Sequence, residues 1–152
     1  MTPQTAEIDA KYRTMMILWF VLLLTQAMFL GMLFSVKREL FSIDTSQPIL
    51  GDQPLIVAAF AVLAVVNLGL SFIMRNRAIE QAIAERKPAY VQTGVILGCA
   101  FCESISLLGL LLAFVFSYPY FFLWFALGII GIFLHFPRRR HLLNAAFGRE
   151  SR

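Results

Sequence analysis

One carboxylic acid stands inside the most apolar part of this chain. Glu103 lies in GCAFCESISLLGLLLA, residues 98–113, whose other members carry no charge. An ionised carboxylate deep in hydrocarbon costs at least ~3 kcal/mol. Burial therefore favours its neutral, protonated form. A group that is neutral at rest, and ionises when water or a cation arrives, is suited to reversible binding of H⁺ or Na⁺. The plainer alternative is a permanently protonated acid bonded to a neighbouring helix. Gln26 is the expected partner, because a buried amide in lipid also needs one. Its own alternative is a bond to a backbone carbonyl or another subunit. Thr25 is adjacent, and Asn67 reads as a helix-to-helix contact rather than a ligand.

Other residues with chemical potential form weaker patterns. Cys99 and Cys102 make a C-x-x-C, a spacing found in redox proteins. Cysteine is also a small residue at home in packed interiors, and no further cysteines are present to relay electrons. His135 and His141 have no Cys, Asp or Glu cluster around them, so no metal site is expected. No phosphate-cradling glycine loop or Ser-His-Asp spacing is visible. The expectation is a protein without covalent chemistry of its own and without a cofactor beyond a bound H⁺ or Na⁺.

These residues must be held by elements that lie in a membrane. Of the 152 residues 59% are hydrophobic and 14% charged, and a soluble domain usually carries about 25% charged residues. The apolar residues come in four blocks, at 14–36, 54–74, 91–117 and 119–136. A helix needs about 20 residues to cross a ~30 Å hydrocarbon core. Backbone groups in lipid must bond internally, so each span is expected to be helical. The predicted fold is an all-α, four-helix integral membrane protein, a single domain over 1–152. The first block is too long for a signal peptide. Glu103 and Gln26 each fall twelve residues into spans that start on the same side, at a common depth of ~18 Å.

Charge orients the bundle. Lys11, Arg13, Arg75, Arg77, Arg86, Lys87, Arg138, Arg139, Arg140, Arg149 and Arg152 fall on one side of four spans, and only Lys37 and Arg38 on the other. The positive-inside bias places both termini in the cytoplasm. A bacterial inner (plasma) membrane is the expected location. The net charge of +4 then reflects topology, and no nucleic-acid partner is expected. Tyr118, Tyr120 and Trp124 fit an aromatic belt. Leu40, Phe41 and Ile43 are placed in the headgroup layer. The second helix is expected to continue past the membrane to Lys87, with Pro88 as a break. Ser117-Tyr118-Pro119 makes a tight hairpin between the last two spans. Leu142, Leu143 and Phe147 are expected to form a short interfacial helix.

A stripe of small residues marks the third helix: Gly94, Gly98, Cys102, Ser106, Gly109 and Ala113 recur every three or four positions. Such stripes let helix backbones approach closely. The alanine-rich second helix, with Ala58, Ala59, Ala61, Ala64 and then Gly69, is the expected partner. Read as a string, Gly98-x-Ala100-x-x-Glu103-Ser104-x-x-Leu107-x-Gly109-Leu110-x-x-Ala113 resembles the second helix of the proteolipid (c) subunit of rotary ATP synthases. Arg86-Lys87-Pro88 looks like that family's polar loop. The resemblance covers roughly residues 54–117 and departs from the family in two flanking helices and in few glycines on the second span. It implies a central c-like helical hairpin, Glu103 as the ion-binding carboxylate, and hairpin packing at Gly98 and Ala100. It also implies a homo-oligomer or a subunit of a larger membrane complex, in contact with the lipid bilayer.

Two other functions fit the residues. One is an accessory subunit in which a Glu103–Gln26 hydrogen bond fixes helix register. The other is a small thiol-quinone oxidoreductase built on Cys99 and Cys102.

Overall fold

The computed structural model describes residues 3–42 and 48–148, with residues 3–5 described by backbone alone. Ile43, Arg149 and Arg152 lie outside the described residues. The described chain folds as α1 (Pro3–Val36), a 3₁₀ turn (Arg38–Phe41), α2 (Pro54–Ala84), α3 (Ala89–Phe116), α4 (Phe122–Leu134) and α5 (Arg139–Phe147). No strand occurs among the described residues.

Three helices, α1, α2 and α3, are long and apolar enough to cross a membrane. Their 34, 31 and 28 residues extend ~51, ~46 and ~42 Å. The fourth expected span is shorter than its apolar block. α4 has 13 residues, or ~20 Å, and by itself falls short of the hydrocarbon thickness. Pro137 explains the stop, since it has no N–H to donate and restricts the residue before it. α5 resumes after the break at a bend of 43°, and α4 and α5 count as one span only if taken as a bent pair.

α3 is the axis of the bundle, with α1, α2 and α4 all packed on it. One end holds the start of α1, the α2–α3 turn and α5, and carries most of the arginines. This is the basic end of the bundle. Its core joins Ile8, Met15 and Trp19 to Ala82, Val91, Val95, Leu142 and Ala145. The far-end core joins Leu33, Val57, Ala64, Leu112, Phe121 and Phe125. Tyr118, Tyr120 and Trp124 belong to that core. They are buried, with Tyr118 edge-on to both of the others, and so do not form an exposed belt. Outward positions remain apolar, for example Phe20, Leu24 and Met28 on α1 and Leu55, Val62 and Val65 on α2. Helices apolar all round belong in a lipid or protein interior.

α1 meets the bundle through a regular seam. Ile8, Met15, Trp19, Gln26 and Leu33 are buried, with Tyr12, Leu22 and Phe29 partly buried between them. The spacing alternates four and three, as in a left-handed coiled coil. α2 does run on to Ala84, and it ends in a left-handed Arg86. The Arg86 N–H donates to Ile83 O and the Lys87 N–H to Ala82 O, a Schellman cap built without glycine. Ser117, also left-handed, turns α3 sharply into α4, as the hairpin reading required.

α5 is docked on the bundle. Leu142 and Ala145 are fully buried, and Arg139 Nη2 donates to Asp9 Oδ1 at 2.6 Å. Burial, then Arg75, Arg140 and Arg138, lower the His141 pKa from its usual 6.5. The folded state thus prefers the neutral ring, and the unfolded state takes up the proton first. Stability from this group is full above about pH 6.5 and is lost as pH falls through the lowered value. Faster amide exchange in α5 at pH 5 than at pH 7.5, corrected for intrinsic rates, is the expected result. His141→Gln should remove the difference.

Candidate functional site

Glu103 sits in the middle of α3, on the flank of its buried face, and is half-buried. The Thr25 hydroxyl of α1 lies 2.5 Å from Glu103 Oε1. The same hydroxyl lies 2.7 Å from the Leu22 carbonyl one turn earlier. Thr25, not Gln26, is therefore the residue that bonds the carboxyl. Gln26 is at the expected depth but one residue further round α1, in the centre of the seam. It is 1% exposed, and neither amide atom has a hydrogen-bond partner among the described residues. Ser106, one turn beyond Glu103 on the buried face of α3, is likewise buried with Oγ unpartnered.

The small-residue stripe divides between two neighbours. Gly94 faces α2: a Cβ there would lie 2.8 Å from Ala78 Cβ and 3.2 Å from the Arg75 carbonyl. Gly98, Cys102, Ser106 and Gly109 face α4, which answers with small residues of its own. A Cβ on Gly109 would lie 2.6 Å from Trp124 Cβ, one on Gly128 2.8 Å from Cys102 O, and one on Gly131 2.5 Å from Cys102 Sγ. Ala113 is buried with Leu112 in the far-end core. The alanines of α2 are not the main partner, since Ala58, Ala59 and Ala61 point outward and only Ala64 is buried. Ala100 does not pack the hairpin either. It is exposed and lines an open groove of ≈ 350 Å³ with Asn67, Leu97, Phe101 and Ser104. The Asn67 amide makes no hydrogen bond among the described residues.

A second polar cluster lies toward the basic end, and sequence reasoning did not find it. His135 is fully buried. Its ring fills the space where Gly98 lacks a side chain and stacks at a tilt on Phe72, 4.8 Å away. Nδ1 lies 2.7 Å from Gly131 O. A carbonyl only accepts, so Nδ1 carries a proton in this contact. Arg75 of α2 donates from Nη1 to Leu134 O at 3.3 Å. Cys102 Sγ lies 3.9 Å from His135 Nδ1. Both thiols are free and fully buried, and reactive thiols are normally partly exposed. Cys102 packs against Gly131 of α4, and Cys99 lies in the basic-end core. Among the described residues no group of three His, Cys, Asp or Glu side chains is placed to hold a metal.

The mid-bundle arrangement is thus one carboxyl held to a neighbouring helix by a hydroxyl, with an amide and a second hydroxyl buried beside it. No protein-family model, curated protein or solved structure matches this chain.

Proposed function

We propose that this chain is a membrane-embedded, proton-binding subunit of a larger assembly, with Glu103 as the carboxyl that takes up and releases the proton. It would sit in a bacterial plasma membrane with its basic end cytoplasmic, as the arginine bias favours. The observation that carries the reading is the double contact of Thr25. Its hydroxyl has one proton to give and two acceptors in range, Leu22 O and Glu103 Oε1. The Leu22 carbonyl can only accept. If Thr25 donates to it, the contact with Glu103 needs a proton from the carboxyl itself. A protonated Glu103 donates to Thr25 Oγ1, and both bonds are made. An ionised Glu103 competes with Leu22 for a single proton. The pair is therefore matched to the neutral acid and responds to its ionisation. The spacing of Gly98, Glu103, Gly109 and Leu110, which resembles a rotary c subunit, supports the same role.

A bond between α1 and α3 would also serve an accessory subunit that only needs a fixed register. Labelling separates the two. A hydrophobic carbodiimide reacts with protonated carboxyls. The expected result on membranes is one modified residue, Glu103, with labelling that falls as pH rises. Glu103→Gln should abolish the label while leaving the chain assembled. Absence of label at every pH from 5 to 9 would remove the proton-binding role and leave the accessory one.

A further inference from the structure

We infer that Glu103 has two seats: on Thr25 when protonated, and on Gln26, with Ser106 behind it, when ionised. The inference rests on the proton-binding reading and adds the residues that receive the charged form. The starting point is the set of buried polar atoms without partners, which includes Gln26 Nε2, Gln26 Oε1 and Ser106 Oγ. A buried amide or hydroxyl left unbonded is costly in any low-dielectric interior. These three belong to buried residues of α1 and α3, which pack on each other, and call for a common explanation.

They are close in depth. Counting 1.5 Å per residue outward from the Thr25–Glu103 bond puts Gln26 ~1.5 Å and Ser106 ~4.5 Å further along. They also share a side. Thr25 and Glu103 occupy the flanks of their helices, and Gln26 and Ser106 the buried centres. A carboxyl leaving Thr25 and turning inward meets the amide first.

One arrangement satisfies all three atoms. The Gln26 Nε2–H donates to the Glu103 carboxylate, and the Ser106 O–H donates to Gln26 Oε1. Thr25 keeps its proton on Leu22 O. The proton lost from Glu103 passes to water, and rebinding returns the carboxyl to Thr25. Gln26 and Ser106 are thus positioning residues, and they set the pH at which Glu103 changes state.

The test is the pH profile of carbodiimide labelling at Glu103 in membranes carrying the full chain. Removing a donor to the charged form favours the protonated form. Gln26→Leu should move the half-labelling pH up by about one unit, a tenfold change in proton affinity. Ser106→Ala, which removes a single oxygen, should move it in the same direction by less. Thr25→Val removes the seat of the neutral acid and should move it down. Opposite signs for Gln26→Leu and Thr25→Val are the signature of two seats. An unchanged profile in both Gln26→Leu and Ser106→Ala overturns the inference, and so does a shift of the same sign in all three. These outcomes differ from failure of the proton-binding reading, in which the unaltered chain does not label at all.

Discussion

Gly98→Ala should destabilise the bundle by about 1–3 kcal/mol, the usual cost of overpacking a closed interior, and His135→Ala should rescue it. The added Cβ would clash with the His135 ring, closest to Cδ2 and 2.7 Å from Nε2. A flexible side chain could step aside. This ring is not free to do so, because Nδ1 is bonded to Gly131 O, Phe72 covers one face, and no part of it is exposed. Relief must come from a shift of α4 away from α3. The remaining glycine contacts resist that, since Gly109 and Gly128 already bring the two backbones together. His135→Ala alone leaves a hole, and the double variant fills part of it, so the two changes should couple by about 1–3 kcal/mol. Gly69→Ala is the control. A Cβ there meets nothing within 4 Å, and alanine favours the helix by roughly 0.5–1 kcal/mol. Denaturant titrations in mixed micelles should therefore move in opposite directions for Gly98→Ala and Gly69→Ala. Equal, small effects would mean that His135 is not seated on Gly98.

The contrast between these glycines shows what could and could not be read from the chain. Apolar blocks located α1, α2 and α3, because length and hydropathy are local properties. The continuation of α2 to Ala84 and the turn at Ser117 were legible for the same reason. The early end of α4 had a signal in Pro137 that the apolar run masked. Which face of each helix is buried was harder. A soluble helix reports its face by alternating polar and apolar residues. α1 is apolar on the lipid side as well, so the four–three seam through Met15, Trp19, Gln26 and Leu33 has little contrast. Depth was legible to a few ångströms from the helix rise, and it placed Gln26 and Glu103 together. Azimuth was not, and a single residue turns the side chain by ~100°. That turn is the difference between Gln26 and Thr25 as the partner of Glu103. The pairing of Gly98 with His135 spans 37 positions and leaves no mark in either local sequence.

Trp19→Ala should loosen α1 and, through it, the carboxyl. Trp19 ties α1 to α4. Its Nε1–H donates to Ile132 O at 2.9 Å, and its ring meets Phe133 and Phe136 edge-on at 5.5 and 5.2 Å. In a soluble core, Trp→Ala costs about 3–5 kcal/mol, part of it the transfer of apolar surface from water. That part is missing in lipid, where packing and hydrogen bonds drive helix association. Ile132 O is not orphaned by the change, because the His135 N–H also reaches it. What remains is lost ring packing and one hydrogen bond, together about 2–3 kcal/mol. Trp19→Phe keeps most of the packing and should cost about 1 kcal/mol. The consequence for the site follows from the seam. α1 packs on α3, α4 and, at the basic end, α5, so a weakened α4 contact leaves α3 alone to hold the mid-bundle stretch that carries Thr25 against Glu103. The Thr25 bond should then fail more often, and carbodiimide should label Glu103 faster at a fixed low pH in Trp19→Ala than in Trp19→Phe. If the two variants label at the same rate while differing in stability, the seam holds α1 in place without governing the carboxyl, and the Thr25–Glu103 contact is independent of α4.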